Sequence, residues 1–323
     1  MKKEELRIVF FGTPEFAVES LARLVDDGFN IVAAVTMPDK LAGRGHKVFQ
    51  SPVKEYAVAH GIPVLQPEKL KAPDFIEDLS ALSADLFIVI AFRMLPEIVW
   101  AMPPLGTFNL HAALLPRYRG AAPINWAVIN GDTETGVTTF FIDNQIDTGD
   151  ILQRERISIG PDENVGSVHD RLMRLGAELT VDTVRHIIAG DLRPIPQDEL
   201  AAEEAPSAAP KIFRETCRMD FSKSALQLHN FVRGLSPYPC AWAELYDGDS
   251  HITTVKILRA GVVDDKTLSP GAVSFAGGRM LVGAGGATAL EIFELQPAGK
   301  RSMATVDYIN GLSRAMPAKP RME

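Results

Sequence analysis

Apolar positions recur with two different periods along this chain, and the change of period falls near residue 210. Residues 7–11 (RIVFF) form a short, nearly continuous apolar run closed by Gly12, the pattern of a strand buried on both faces. Thr13 then stands where it can cap a helix whose first position is Pro14, and Phe16, Ala17, Leu21 and Leu24 recur at helical spacing. The succession repeats with a strand at 31–36, a helix near 51–60, a short strand at 62–65, a helix near 73–82 and a strand at 86–91. Such alternation implies right-handed crossovers and an α/β fold, a mostly parallel Rossmann-like sheet with helices on both faces. Residues 151–157 read as an edge strand and 165–189 as a long amphipathic helix.

Residues 190–210 (GDLRPIPQDELAAEEAPSAAP) have the Pro, Ala and Glu bias of a linker. Beyond them lie a helix near 223–234 and short strands at 242–245, 251–260, 271–276, 280–283 and 289–295, separated by Gly and Asp turns. Short strands at regular spacing suggest a smaller β-barrel, OB-like in its proportions. The expected division is therefore a sheet domain at 1–189, a linker at 190–210 and a barrel domain at 211–323.

Composition narrows the setting. The chain has 323 residues, room for about two domains, and contains no apolar run long enough to span a bilayer. Its opening, MKKEELRIVFFG, lacks the apolar length of a secretory leader. Two cysteines make neither a disulfide framework nor a zinc cluster, so a reducing cytoplasm is expected. The net charge is −8, yet it is unevenly spread: residues 206–323 hold 14 Lys and Arg against 11 Asp and Glu, and residues 1–205 hold 19 against 30. Inside the acidic part, residues 37–54 (MPDKLAGRGHKVFQSPVK) gather Lys40, Arg44, His46 and Lys47 in a Gly-rich loop. Such a loop is either a mobile solvated excursion or a basic finger that meets phosphates, and its length favours a use.

Candidate chemistry is concentrated in residues 108–152. Asn109 and His111 lie two apart on an apolar strand, so both point to one side of it. A later β-branched run, 135–142, ends in Asp143-Asn144-Gln145-Ile146-Asp147-Thr148-Gly149-Asp150. In open parallel sheets, sites form at the carboxyl ends of strands, where Asn109, His111 and Asp147 are expected. An amide can donate to a carbonyl oxygen as negative charge develops. A carboxylate beside imidazole fixes its tautomer and favours its protonated form. No G-x-G-x-x-G or Walker spacing is present, which argues against a dinucleotide or a bound nucleoside triphosphate. No Ser or Cys stands in a nucleophile-elbow setting, so direct transfer between two bound substrates fits better than an acyl-enzyme. One His with scattered carboxylates makes no convincing metal site.

The stretch FNLHAALLPRYRGAAPINWAVINGDTETGVT followed by IDTGDIL resembles the 10-formyltetrahydrofolate-dependent formyltransferases. RIVFFGTPEFAVESL, PDKLAGRGHKVFQSPVKEYA and FELQPAGKRSM extend the resemblance from about residue 7 to about 311 and point to the tRNA-directed branch of that family. The resemblance implies transfer of a formyl group from 10-formyltetrahydrofolate to the α-amine of methionyl-initiator tRNA; no metal is expected, and nothing in the sequence demands more than a monomer. It places the catalytic trio on Asn109, His111 and Asp147. Folate walls fall on Phe92, Arg93, Met94 and Leu95 and on Ala113, Leu114, Leu115 and Pro116, with pterin recognition by Asp143, Asn144 and Gln145. It assigns tRNA contacts to Lys40, Arg44, His46 and Lys47, with the barrel on the outside of the tRNA. Two departures stand out: Ala113 where the family commonly has Ser, and Arg93 where Gly is frequent, in a loop shorter than in many relatives. An amino-sugar nucleotide as acceptor, a non-catalytic tRNA-binding module and hydrolysis of the formyl donor remain open at this level.

Overall fold

The structure, a computed structural model, describes residues 2–42, 47–201, 204–312 and 316–323, with backbone alone at 41, 42, 47 and 48. Two compact units make up the chain, and neither is continuous in sequence. One comprises Met1–Pro123, Thr135–Ile157 and Asp170–Ala209; the other comprises Ile124–Glu134, Ser158–His169 and Pro210–Glu323.

The first unit is built on a seven-stranded sheet of β1 (Arg7–Gly12), β2 (Asn30–Val35), β3 (Val64–Leu65), β4 (Leu86–Ile90), β5 (Thr107–His111), β6 (Glu134–Phe141) and β7 (Ile151–Ser158), in the order β7-β6-β5-β4-β1-β2-β3. The strands β1 to β5 are parallel. β1 beyond Arg7, and β4 throughout, are apolar because both of their faces are covered. Val9, Phe11, Ala33, Val35, Phe87 and Val89 pack on Phe75 and Leu79 of the helix Pro73–Ala81. On the alternate face Leu110, register partner of Ile90, meets the helix Val165–Ala189. A Cβ at Gly176 would lie 2.7 Å from Leu110 Cδ2, so this helix needs glycine there to lie close to the sheet.

Two expectations are corrected here. The helix after β1 begins at Glu15 with the extended Pro14 (ψ 175°) in the cap position, and there is no side-chain cap bond because the proline ring has no acceptor. Thr13 Oγ1 is instead buried without a hydrogen-bond partner. The strand preceding Asp147 also runs against the sheet: β6 pairs antiparallel with β5, Asn109 opposite Phe140 and His111 opposite Thr138. Asp147 therefore does not follow a carboxyl end shared with Asn109 and His111.

Antiparallel strands form the second unit: Ala241–Asp247, Ser250–Val263, Met280–Ala284 and Thr288–Pro297, edged by Val273–Ser274 and Pro320–Met322. A bridge between Ala272 and Arg321 nearly closes this sheet into a barrel. Its core takes Leu228, Val232 and Leu235 from the helix Ala225–Leu235. That helix starts with a complete capping box between Ser224 and Gln227. The strand Ser250–Val263 is longer than the pattern suggested, and the strands Met303–Ala304 and Pro320–Met322 and the helix Thr305–Leu312 were not expected.

Arg233, 6% exposed, donates from Nε to Asn230 Oδ1 at 2.8 Å and from Nη1 to Glu163 O at 3.0 Å. Burial lowers its pKa, with Asp162 and Glu163 opposing that shift. Arg233→Ala would strand these acceptors, so a loss of about 2–3 kcal/mol is expected, read as a lower urea midpoint. An unchanged midpoint would contradict this role.

Candidate active site

Period-two geometry puts Asn109 and His111 on one face of β5, in line with Val89 of β4 and with Phe140 and Thr138 of β6. His111 is buried, and its ring stands edge-on to Phe140 with centroids 6.5 Å apart. Its Nε2 faces the Tyr118 carbonyl oxygen at 2.8 Å, which favours the tautomer with the proton on Nε2. The Nδ1 lone pair then faces Asp147 Oδ2 across 3.7 Å. A proton taken up at Nδ1 would convert this juxtaposition into an ion pair.

Asp147 reaches His111 because the loop after β6 doubles back. Phe141 N donates to Asp150 O at 2.9 Å, closing the loop at its base. Gly149 packs so tightly there that a Cβ would lie 1.7 Å from Phe141 O. Asp143 folds inward, its Oδ1 accepting from Gln145 N at 2.8 Å and from Thr148 Oγ1 at 2.8 Å. Asp147 itself sits in the left-handed region (φ 56°), a conformation that needs support in a residue other than glycine. Its Oδ2 accepts from Gly120 N at 2.8 Å, and its backbone oxygen accepts from Gln197 Nε2 at 3.0 Å.

Beside this group opens a cleft of about 340 Å³ whose walls include Val89, Asn109, Phe140, Ile142 and Asp147. Phe92, Arg93, Met94 and Leu95 also line it, as do Asp143 and Gln145. The volume and the mostly apolar wall with a few polar groups suit a flat heteroaromatic ligand. Phe92 is fixed against Phe11, ring centroids 5.8 Å apart. Arg93 turns its guanidinium away to the Glu68 and Pro67 carbonyl oxygens, at 2.8 Å for Glu68, and leaves Nε buried without a partner. Burial lowers its pKa.

The other sequence-derived residues are placed as follows. Ala113, Leu114, Leu115 and Pro116 are buried and do not line the cleft. Thr138 Oγ1 donates to Ala113 O at 2.7 Å and accepts from Leu115 N at 3.1 Å, so this turn serves the scaffold under His111. Asn144 is exposed at the tip of its loop. Lys40 is exposed at the start of a two-stranded ribbon, Lys40–Ala42 with Lys47–Phe49. Arg44 and His46 lie outside the described residues, as does the side chain of Lys47. The ribbon's stem is pinned: Lys54 Nζ donates to Asp39 Oδ2 at 2.6 Å, and Gln66 Nε2 to Asp39 Oδ1 at 2.7 Å. The hydrogen bond from Lys54 is the main cause that holds the Asp39 carboxyl below its ordinary range.

Sequence reasoning missed Tyr118, Gly120, Thr138 and Gln197. Gly120 needs its glycine, since its φ of 125° and its close approach to Ala209 demand one, but in the sequence the only trace of this is the glycine itself in a loop. Gln197 left none.

The second unit has a group of basic and aromatic side chains of its own. The guanidinium carbons of Arg214 and Arg218 each lie 5.7 Å from the Trp242 ring centroid, and Lys211 Nζ lies 5.5 Å from that of Phe213, which is 54% exposed. Among the described residues, no helix is long and apolar enough to cross a membrane, and no group of three or more His, Cys, Asp or Glu is placed to hold a metal.

The family described as "Formyl transferase" matches residues 6–184, and "Formyl transferase, C-terminal domain" matches residues 211–313. A protein of Bacteroides fragilis named methionyl-tRNA formyltransferase is 53% identical over 312 residues, covering 96% of each chain. One of the same name from Bacteroides thetaiotaomicron is 50% identical over 312 residues, covering 96% of this chain and 97% of that one. Among solved structures, a sugar 3N-formyl transferase crystallised with dTDP and 5-N-formyl-THF superposes with a TM-score of 0.64 at 17% identity. The match covers 92% of this chain and 99% of that one, a likeness of fold.

Proposed function

The chain belongs to the formyl transferase family, and from that premise we propose that it transfers a formyl group from 10-formyltetrahydrofolate to the α-amine of methionyl-initiator tRNA. The observation that carries the reaction is the His111–Asp147 juxtaposition, set directly behind a cleft that Asn109 and Asp147 both line. The bound donor supplies an electrophilic formyl carbon. The Asn109 amide donates to the formyl oxygen as the amine attacks and negative charge develops there. His111 takes the amine's proton at Nδ1, directly or through one water, because its Nε2 is engaged by Tyr118 O. Asp147 orients the ring and stabilises the imidazolium, and the same proton is then available to the departing nitrogen.

Phe92, Met94 and Leu95 fit the flat faces of the folate, while Asp143 and Gln145 supply polar groups for its pterin edge. Residues 1–189 carry this chemistry and 211–323 hold the tRNA, with 190–210 joining them. For the tRNA, Lys40, Arg44, His46 and Lys47 meet phosphates. The cations about Trp242 and Phe213 suit a nucleic-acid backbone with stackable bases. The trio and the cleft lie within one unit of one chain, which fits a monomer.

The acceptor is tested by offering charged initiator tRNA and amino-sugar nucleotides in parallel with the same donor. Formylation of the tRNA alone is expected; a sugar preferred over tRNA would overturn the assignment. Affinity for tRNA is expected to fall steeply with salt, since phosphate contacts release counterions. Arg44→Ala is expected to raise KM for tRNA with little change for folate, and equal changes for both would remove Arg44 from the tRNA interface.

A further inference from the structure

We propose that Gln197 is a positioning residue for the transfer, holding Asp147 in register with His111 from a segment that contributes no reacting group. The inference rests on the trio assigned above. Gln197 is 3% exposed and uses its whole amide. Nε2 donates to Asp147 O at 3.0 Å and to Gly149 O at 2.9 Å. Oε1 accepts from Arg119 Nε at 3.0 Å and from Arg119 Nη2 at 2.7 Å. The next residue, Gly120, donates its N–H to Asp147 Oδ2. Gln197, Asp147, Gly120 and Arg119 thus form a closed ring in which Asp147 is held by backbone on one side and carboxylate on the other.

The partner of Asp147 depends on the same support. His111 Nε2 rests on Tyr118 O, and Tyr118 also has a left-handed backbone (φ 61°). Ser207 Oγ accepts from Tyr118 N at 2.9 Å, Ser207 O accepts from Arg119 N at 2.9 Å, and Ala208–Ala209 pair with Arg119–Gly120 as a short parallel ribbon. Ser207, Ala208 and Ala209 therefore fix the segment 118–120 on which both members of the imidazole–carboxylate pair lean. At 3.7 Å that pair is already longer than a hydrogen bond, so a further displacement of about 1 Å is enough to cost ~10²-fold in rate.

Two variants separate positioning from mere packing. Gln197→Leu removes donors and acceptor together. Gln197→Glu keeps the acceptor for Arg119, as an ion pair, and removes both donors to the Asp147 loop. Single-turnover transfer, measured per folded enzyme, is expected to slow ~10–100-fold in both, with KM for folate and tRNA within about threefold of wild type. In an Asp147→Ala background, Gln197→Leu is expected to cost nothing further, because its effect passes through Asp147. A Gln197→Glu enzyme with the wild-type rate, or a full additional loss in the Asp147→Ala background, would overturn the proposal. If Asp147→Ala alone retained the wild-type rate, the reading of the site would fall instead.

Discussion

Replacing Asn109 with alanine is expected to lower turnover ~10²–10³-fold while tRNA and folate still bind, the usual cost of losing one donor to a developing oxyanion. The size of the effect follows from the company Asn109 keeps. The other polar side chains around the cleft are Arg93, Asp143, Gln145 and Asp147. Arg93 spends its guanidinium on the carbonyl oxygens of Pro67 and Glu68. Asp143 is folded into its own loop, and Asp147 carries the wrong sign. Arg93, Asp143 and Asp147 therefore cannot replace the amide, and Gln145 is exposed on the loop after β6 rather than set on β5. Asn109→Asp keeps the shape and reverses the electrostatics, so it is expected to be at least as slow as Asn109→Ala. Rapid-quench single-turnover kinetics with saturating donor reads both variants; rates within about threefold of wild type would argue against an oxyanion role.

Gly149→Ala is expected to abolish most activity without touching a reacting atom. The added methyl would lie 1.7 Å from Phe141 O and 2.9 Å from Phe141 C, both backbone atoms at the foot of the loop. The loop must then move outward, which opens the Phe141–Asp150 hydrogen bond and loosens Gly149 O from Gln197. Asp147, two residues away, moves with it. A loss of ~10²-fold or more in turnover is expected, with about 1–3 kcal/mol of destabilisation from overpacking. Turnover together with the urea midpoint checks this, and unchanged values for both would mean that the D-T-G-D turn does not set the position of the carboxylate.

The parts of the fold legible in the sequence were those governed by local pattern. Continuous apolar runs marked β1 and β4, and the i, i+2 rule put Asn109 and His111 on one side of β5. The direction of β6 was not legible, because antiparallel pairing with β5 is settled by non-local contacts such as Phe108 with Phe141. The length of Ser250–Val263 was hidden by register shifts between Ile257, Arg259 and Ala260, which break the alternation a strand is recognised by. Pro320–Met322 is too short to have a period at all.

The site divides in the same way. Side chains chosen for their chemistry, Asn109, His111 and Asp147, could be named from residue type and spacing. The resemblance alone assigns Ala113 to Pro116 to the folate wall; in the structure they are buried and hydrogen-bonded to Thr138. Gln197 sits among Pro, Ala and Glu, a composition that announces a linker. Its importance comes from reaching three backbone and side-chain partners that are distant in sequence, which no local pattern encodes.

In the proposed reaction a formyl group passes directly from folate to amine, organised by Asn109, His111 and Asp147 with no covalent enzyme intermediate. A donor carrying an isotopically labelled formyl carbon, incubated with methionyl-initiator tRNA and sampled during the first turnover, tests it most directly. Mass analysis is expected to find the label on the methionine α-amine from the earliest time point and never on the protein. Label attached to the enzyme, or released as free formate with the aminoacyl-tRNA unchanged, would contradict it.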